Sequence, residues 1–283
     1  MKTTFLIFLY FIIALSNVAC SQSNYILYSH YINKAELCIA DQKYREALIY
    51  YDSALMERKV LFAKDAYNAA LSAAIVKNNN KCYLYTKTLI DKGYSIKHIQ
   101  SVDVLGFFFK TKNGKQLIKY SKHNEVKYNK VLRKIIDSLE TADQFFRNKE
   151  GKYLVYMDTI KKIDASNSFC FVKFVEKYGF PSEEMVGIVD DSLLNGLSPY
   201  YAIIFHQQNG SPTSVMNFAD ILTAALKNGD IEPRIALELI DRSNGSDEYG
   251  SEACGLTKYV LDSVSSEKIK HSNPNTNYDT IGK

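Results

Sequence analysis

The sequence has no tryptophan and only five cysteines and five histidines, so side chains that bind metals are scarce. Apart from Cys20, the cysteines lie far apart, without a C-x-x-C pair and without a histidine at ligand spacing. This pattern argues against a metal cluster. The sequence also lacks a glycine-rich phosphate loop and a complete catalytic triad, so we predict neither a metal nor another cofactor.

The formal net charge is small. It is +4 for the whole chain and +3 without residues 1–19, whose single charged residue is Lys2. The positive charge is spread along the chain without a dense basic block, so a nucleic acid is not expected as a partner. In place of tryptophan the chain has 21 tyrosines and 15 phenylalanines, which supply large side chains for a core.

Residues 1–20 have the composition of an export signal. Lys2 precedes an uninterrupted apolar run from Phe5 to Leu15. This run of about eleven residues is too short to span a bilayer of about 30 Å as a helix. Small residues then lead to Cys20, and a polar sequence follows. We therefore predict that the mature chain is exported to the cell envelope.

The segment Val18-Ala19-Cys20 resembles the end of a bacterial lipobox, in which diacylglycerol is joined to the cysteine thiol. The resemblance implies that Cys20 is the lipidated first residue of the mature chain, which its acyl chains would hold on a membrane. Asn17 departs from the motif, which usually has an aliphatic residue there. With ordinary cleavage after Cys20 or Ser21, the protein would instead be soluble in the periplasm or outside the cell.

Apolar residues recur at three and four positions along the chain, so we expect an all-α fold. Between residues 24 and 120 the pattern repeats after 35 residues. It resembles the tetratricopeptide repeat, in which small side chains let two antiparallel helices approach closely. The first unit has Ala35, Tyr44, Ala47, Tyr51 and Ala54, and the second has Ala70, Cys82, Thr86 and Leu89. Such arrays usually need about three units, so residues 96–120 or the next domain should supply a third helical pair.

Residues 122–264 are predicted to form a second all-helical domain on which the repeats pack. They contain the series D-Q-x-x-R, D-x-x-N, Y-G-x-P, V-G, a histidine, D-R and Y-G, formed by Asp143, Gln144, Arg147, Asp164, Asn167, Tyr178, Gly179, Pro181, Val186, Gly187, His206, Asp241, Arg242, Tyr249 and Gly250. The series resembles an uncharacterised bacterial domain frequent in envelope proteins, which implies a fold class rather than an activity. Phe205 and Ser251-Glu252 depart from it, since the family has glutamine and Thr-Gln there.

Six residues of this segment are candidates for a functional site: His206, Asp241, Arg242, Asp143, Arg147 and Asp164. His206 could be a general base oriented by Asp241 or Asp164, or it could close a helix at its carboxyl end. The i,i+4 spacing of Asp143 and Arg147 predicts an ion pair on one helix face. With Asp241 and Arg242, this pair could grip a carboxylate or phosphate, or it could brace helix ends. The spacing does not support a metal site.

Two functional hypotheses follow. The first and favoured one is a scaffold that binds a protein or peptide partner in the groove of the helical repeats. The second is an envelope hydrolase or small-ligand-binding protein with its site around His206, Asp241 and Arg242, although no nucleophile lies in an activating context. A toxin-immunity role for a lipid-anchored helical protein is a third hypothesis. The polar residues 265–283 lack an apolar face and are predicted to form a disordered tail.

Overall fold

The computed structural model describes residues 24–123, 126–188, 198–207 and 213–245. Within these ranges the regular structure consists of thirteen α-helices and one short 3₁₀ turn, without a β-strand, which confirms the predicted all-α fold. None of the helices in the described ranges is long and apolar enough to cross a membrane. The predicted signal at 1–20, with Cys20, and the predicted tail at 265–283 lie outside the described residues.

The helices are numbered here in chain order. Seven of the described helices begin in the predicted repeat region: α1 Tyr25–Ala40, α2 Tyr44–Glu57, α3 Ala63–Ile75, α4 Asn79–Asp91, α5 Ile96–Gln100, α6 Gly106–Lys110 and α7 Lys112–His123. The six described helices that follow are α8 Lys130–Arg147, α9 Lys152–Tyr178, α10 Glu183–Val186, α11 Tyr201–Phe205, α12 Ala219–Asn228 and α13 Pro233–Asn244.

The first helices are stacked as hairpins. Helix α1 packs on α2 and α3 packs on α4, while α2 also packs on α3. Ala35, Ala47 and Ala54 are completely buried in the first hairpin, where their small side chains let the two helices approach closely. Helix α7 then packs on α4, and α6 packs on α7. The chain after residue 96 therefore extends the stack, as the repeat pattern predicts.

Helices α8 and α9, which are 18 and 27 residues long, form an antiparallel hairpin. Helix α11 packs on both of them, and α13 packs on α11 and α12. Ile136 of α8 and Phe171 of α9 are completely buried in this second core. The ring of Phe171 meets that of Phe218 edge to face, with centroids 5.6 Å apart. One side of the α8–α9 hairpin therefore covers the second core.

Charged side chains join the repeats to the later helices. Lys92, which follows α4 and is only 4% exposed, places its Nζ 2.6 Å from Glu183 and 2.8 Å from Glu184. Arg58, which follows α2, binds Glu184 at 2.8 Å and donates from Nε to the main-chain oxygen of Gly229 at 3.2 Å. Since Lys92 is almost completely removed from solvent, these contacts belong to a packed junction rather than to a surface ion pair.

The same junction covers part of α1. Arg234 of α13 forms a buried ion pair with Glu36 of α1, and α12 also packs on α1. Burial opposes ionisation of Glu36, but the charges of Arg234 and Lys64 outweigh this effect and lower the pKa of Glu36. Tyr25, the first residue of α1, lies in the second core. The division of the chain near Ser121 stays a prediction, and contacts cross between the two parts.

The cysteines differ in their exposure. From the sequence we expect Cys38, Cys82, Cys170 and Cys254 to be buried thiols. Cys82 is buried, Cys38 is half-buried and Cys170 is exposed, and all three are free thiols. The prediction is therefore wrong for Cys170, which lies on the outward side of α9, and Cys254 is outside the described residues. Burial raises the pKa of the Cys82 thiol to about 12.

Asp65 of α3 is a buried carboxyl group at the junction. It is 1% exposed, and its Oδ2 accepts a hydrogen bond from the hydroxyl of Tyr28 on α1. Burial is the largest cause that raises its pKa, and the charge of Glu232 raises it further. Glu36 acts in the same direction while Lys64 opposes it, and the resulting pKa of Asp65 is about 7. The folded protein therefore holds a proton that an unfolded aspartate releases near pH 3.9.

Substitution of Asp65 by asparagine should change how stability depends on pH. Between about pH 4 and 7 the unfolded state binds fewer protons at this site than the folded state, so the carboxyl lowers stability as the pH rises. Asparagine does not ionise and still offers an acceptor to Tyr28. When the pH is raised from about 5.5 to 8.5, the unfolding free energy of the parent is expected to fall by about 2 kcal/mol relative to that of Asp65→Asn. Urea unfolding of both proteins at both pH values measures this difference. An unfolding free energy that changes with pH equally in the parent and in Asp65→Asn would contradict the raised pKa.

Candidate functional site

The last turn of α8 places Asp143 and Arg147 together. Arg147 donates from Nη1 to the Asp143 carboxylate at 2.9 Å and to the Asp143 main-chain oxygen at 2.8 Å. Asp143 is 2% exposed and Arg147 is 6% exposed. The ion pair predicted from the i,i+4 spacing is confirmed. Burial strengthens the attraction between the two charges, while their removal from water offsets this gain.

Arg147 also reaches across the hairpin to α9. Its Nη2 lies 2.6 Å from Oδ2 of Asp164, and its Nε donates to the hydroxyl of Tyr153 at 3.1 Å. Burial opposes the charge of Arg147, but the hydrogen bond to Asp164 and the charge of Asp143 outweigh it and raise the pKa of the guanidinium. One arginine thus holds two carboxylates that helices α8 and α9 bring together.

His206, which follows α11, joins this group through Asp143. Its Nδ1 lies 3.0 Å from Oδ1 and 2.9 Å from Oδ2 of the Asp143 carboxylate. Gln144 donates to the same carboxylate at 2.7 Å. The sequence suggested Asp241 or Asp164 as the carboxylate that orients this histidine, and the structure corrects this to Asp143. Since the two residues are 63 positions apart in the chain, the spacing of motifs could not reveal the pair.

Asp241 and Arg242 lie one after the other on α13 but have different surroundings. Asp241 is completely buried. The side chain of Arg242 is 30% exposed, and its Nε lies 3.2 Å from Glu238 one turn earlier. The guanidinium of Arg242 lies 5.3 Å from the ring centroid of Phe205, the residue that stands where the resembled family has glutamine. The predicted grip of Asp241 and Arg242 on an anionic ligand stays a prediction, and in the structure the guanidinium of Arg242 faces Glu238, whose i,i+4 spacing is a signal that the motifs did not include.

Four of the six predicted site residues form what we call the histidine network: His206, Asp143, Arg147 and Asp164. Its two aspartates face a single arginine, and Nδ1 of His206 is a further partner of Asp143. Bonding of Nδ1 to Asp143 fixes the ring and directs Nε2 away, which is the arrangement of an oriented proton acceptor. In the described part of the chain, no three His, Cys, Asp or Glu side chains are arranged so that they could hold a metal ion.

The network also contains buried polar atoms without a partner. Oδ1 of Asp164 and the hydroxyl of Ser168, one turn further along α9, accept or donate no hydrogen bond among the described residues. Both residues are 1% exposed. An unbonded buried oxygen costs about 1–3 kcal/mol, so the pairing of Asp164 with Arg147 has to offset this cost. The network is therefore strongly coupled to the stability of the α8–α9 hairpin.

An apolar cleft lies on the opposite side of the α8–α9 hairpin. We call it the outer cleft; it has a volume of about 540 Å³ and is lined by Ser138, Thr141, Ala142, Phe145, Phe146 and Ile163. At 100° per residue, Thr141 and Phe145 point away from the side that bears Asp143. Phe145 is 54% exposed, and Val131 at the start of α8 is 69% exposed.

The outer cleft was missed in the sequence because α8 is apolar on two adjacent faces. The apolar spacing of this helix predicts that one side is lined by Val131, Leu132, Ile135, Ile136, Leu139 and Phe146. Ile136 is completely buried, whereas Val131 and Ile135 are 69% and 37% exposed. The prediction is right for Ile136 and wrong for the two residues that lie toward the outer cleft. Hydrophobic spacing identifies an amphipathic helix but not which part of a wide apolar face is covered.

The fold and site define a helical protein with stacked hairpins, a buried histidine network and an apolar outer cleft. No known family model, curated protein or solved structure matches this chain. The tetratricopeptide-like pattern is consistent with the observed hairpin packing. The likeness to an envelope-associated domain stays a prediction from sequence motifs.

Proposed function

We propose that the protein is an exported envelope scaffold that binds a protein partner in the outer cleft between α8 and α9. The observation that carries the proposal is the exposed apolar surface on one side of this hairpin, from Val131 to Phe145. Large contiguous apolar patches are uncommon on proteins that act alone. A groove between two packed helices fits the apolar face of a third helix.

The composition of the outer cleft supports an apolar helix as its occupant. Phe145 and Phe146 stand edge to face with centroids 4.9 Å apart. With Ala142 and Ile163 they form the apolar wall, and the small hydroxyl side chains Ser138 and Thr141 flank it. Such a surface buries apolar side chains on binding, which favours affinity. The ammonium group of Lys149 lies 4.2 Å from the ring centroid of Phe145, so one positive charge borders the apolar wall.

The repeat groove is the alternative location for a partner and stays a prediction. Glu36 on α1 is already bound by Arg234, and α12 packs on α1. This part of the repeat surface serves contacts within the chain. The side chains that line the outer cleft all belong to α8 and α9. We therefore place the partner on the outer cleft.

Location in the envelope belongs to the same proposal. The signal-like residues 1–20 support export, and the lipobox-like end at Cys20 supports an anchor on a bacterial membrane. The ordered motifs of residues 122–264 resemble an uncharacterised bacterial domain that is frequent in envelope proteins and in proteins with tetratricopeptide units. In this proposal the histidine network is a brace that fixes the angle between α8 and α9 and so shapes the outer cleft.

Site-specific photo-crosslinking tests the scaffold. A photoreactive phenylalanine analogue is placed at Ser138 in the outer cleft, and a control is placed at Met56, which is 86% exposed on α2. We expect one discrete protein adduct in cells from Ser138 and none from Met56. The adduct should disappear with Phe145→Glu, a change that an exposed position tolerates. Identical adducts from both positions, or none from Ser138, would contradict the proposal.

A His206→Ala variant separates the scaffold from the alternative hydrolase or ligand-binding protein. If the network is a brace, the variant keeps the Ser138 adduct and loses some stability. If His206 is catalytic, the variant stays folded and keeps its partner but no longer performs the reaction. Comparison of envelope extracts from cells with either chain, by mass spectrometry of small molecules and cell-wall fragments, would then show an accumulated substrate.

A further inference from the structure

The turn between α8 and α9 presents apolar side chains at the end of the hairpin. We call residues 148–155 the hairpin tip. Leu154 is 96% exposed, Val155 is 67% exposed and Tyr153 is 38% exposed. Neither aliphatic side chain lines the outer cleft. Leu154 and Val155 are adjacent in the chain, so their exposed aliphatic side chains form a small uncovered apolar surface at the end of the hairpin.

Basic residues surround this apolar tip. Four lysines lie between residues 148 and 162, namely Lys149, Lys152, Lys161 and Lys162, against two acids, Glu150 and Asp158. The ammonium group of Lys149 lies 4.2 Å from the ring centroid of Phe145 and 4.8 Å from that of Phe146. The charge of Lys149 is therefore held against the aromatic wall of the outer cleft, which leaves Lys152, Lys161 and Lys162 as the lysines available to a surface at the tip.

The spacing along α9 places two of these lysines behind the apolar residues. Lys161 and Lys162 follow Leu154 by seven and eight residues, which puts them on the same helix face about 10–12 Å from the tip. Apolar side chains that enter the interfacial layer of a bilayer are buried by about 5–10 Å. Lysines at this distance can extend their ammonium groups to the lipid phosphates.

We propose that the hairpin tip is a membrane-contact surface that inserts Leu154 and Val155 into the interface of a bilayer containing anionic phospholipid. The tip lies at the end of the hairpin, where it can contact a broad, flat surface such as a bilayer. The outer cleft is a groove and instead fits the side of a helix. The lysines supply the charge complementary to anionic headgroups.

The inference rests on the proposed function in one respect, namely that the bilayer is a membrane of the cell envelope. With the tip in a bilayer, the outer cleft would lie just above the lipid surface, open to a partner in the same compartment. A lipid on Cys20 and the tip would then be two separate attachments, and two weak attachments hold a protein far longer than either alone.

Vesicle flotation tests the membrane contact directly. The chain from residue 20 onward, with Cys20→Ser, is used, so that neither an acyl chain nor the apolar run from Phe5 to Leu15 contributes. We expect it to float with vesicles of phosphatidylglycerol and phosphatidylcholine, and to float less with phosphatidylcholine alone or at high salt. Leu154→Asp with Val155→Asp should lower the bound fraction about tenfold or more, because both side chains lose their burial in lipid. Met56→Asp, at an equally exposed site on α2, should bind as the parent does.

A tryptophan reporter gives an independent test. Because the chain has no tryptophan, Leu154→Trp places a single indole at the tip, and its emission should shift to the blue when anionic vesicles are added. Met56→Trp should show no shift. Equal shifts at both sites, no shift at either, or flotation that the tip variants leave unchanged would overturn the proposal.

Two further outcomes assign the tip to another occupant and also overturn the proposal. A dimer in analytical ultracentrifugation that Leu154→Asp dissociates would identify a second copy of the chain. A Ser138 adduct that disappears with Leu154→Asp, without any vesicle binding by the parent, would make the tip part of the protein interface. Vesicle binding with no Ser138 adduct would instead contradict the proposed scaffold and leave the membrane contact standing.

Discussion

Replacement of Arg147 by alanine is expected to lower the free energy of unfolding by about 3–5 kcal/mol, because it leaves two buried carboxylates without their cation. Arg147 binds Asp143 at 2.9 Å and Asp164 at 2.6 Å, and both aspartates are at most 2% exposed. Removal of one partner of a buried pair costs much more than the pair itself contributes, since the remaining charge stays in a medium of low polarity. Guanidinium unfolding followed by circular dichroism measures the loss.

Three control variants show whether charge or packing causes the loss. Lys173→Ala removes an exposed ion pair with Glu176 on the same hairpin and is expected to cost less than about 0.5 kcal/mol. His206→Ala leaves Asp143 bound to Arg147 and is expected to cost about 1 kcal/mol. Arg147→Met combined with asparagine at both aspartates should recover much of the stability. A loss below 1 kcal/mol for Arg147→Ala would show that water reaches the carboxylates and that the network is not a brace.

The second large effect is expected at Gly114, where α7 crosses α6. A Cβ atom at this position would lie 2.3 Å from the main-chain oxygen of Phe108 and 2.5 Å from the Cα of Phe109. Both neighbours are backbone atoms, so no side-chain rotation relieves the overlap. Gly114→Ala is expected to cost about 2–3 kcal/mol, as helices forced apart lose contacts along their whole length.

Gly106 is the matched control for this substitution. It is the first residue of α6, and a Cβ atom there would meet nothing within 4 Å. Gly106→Ala should therefore stabilise the protein slightly, by about 0.5 kcal/mol, because alanine loses less backbone freedom on folding. Denaturant unfolding curves of the two variants and the parent measure both changes in unfolding free energy. Equal stability of Gly114→Ala and Gly106→Ala would mean that α7 shifts without loss of packing.

The local parts of the histidine network could be predicted from the sequence, and the distant parts could not. Asp143 and Arg147 are four residues apart, so helix geometry alone brings them together. His206 reaches Asp143 across 63 residues, and this contact depends on how α11 packs on α8. The sequence predicts Asp241 or Asp164 as the partner of His206, but the order of motifs along a chain carries no information about the distances between them.

For the exposed surfaces too, the sequence predicts the local pattern but not the packing between distant helices. The amphipathic spacing of α8 is evident in the chain, but two neighbouring faces are apolar, and only packing decides that Ile136 is buried while Val131 is exposed. The hairpin tip was not predicted either, because Leu154 and Val155 resemble ordinary core residues at the start of a helix. An exposed apolar residue is recognised only when the neighbours that would cover it are known.

By itself the sequence determined the helical class of this protein, the small residues at the crossings of its first hairpins and the pair of Asp143 with Arg147. These features depend on contacts within three or four residues or on side-chain size, which the chain carries directly. The tertiary structure decided the partner of His206, the pairing of Arg234 with Glu36, and which apolar residues remain exposed at the outer cleft and hairpin tip. These depend on how distant helices pack, since burial and the pairing of charges are properties of the surroundings and not of the residue.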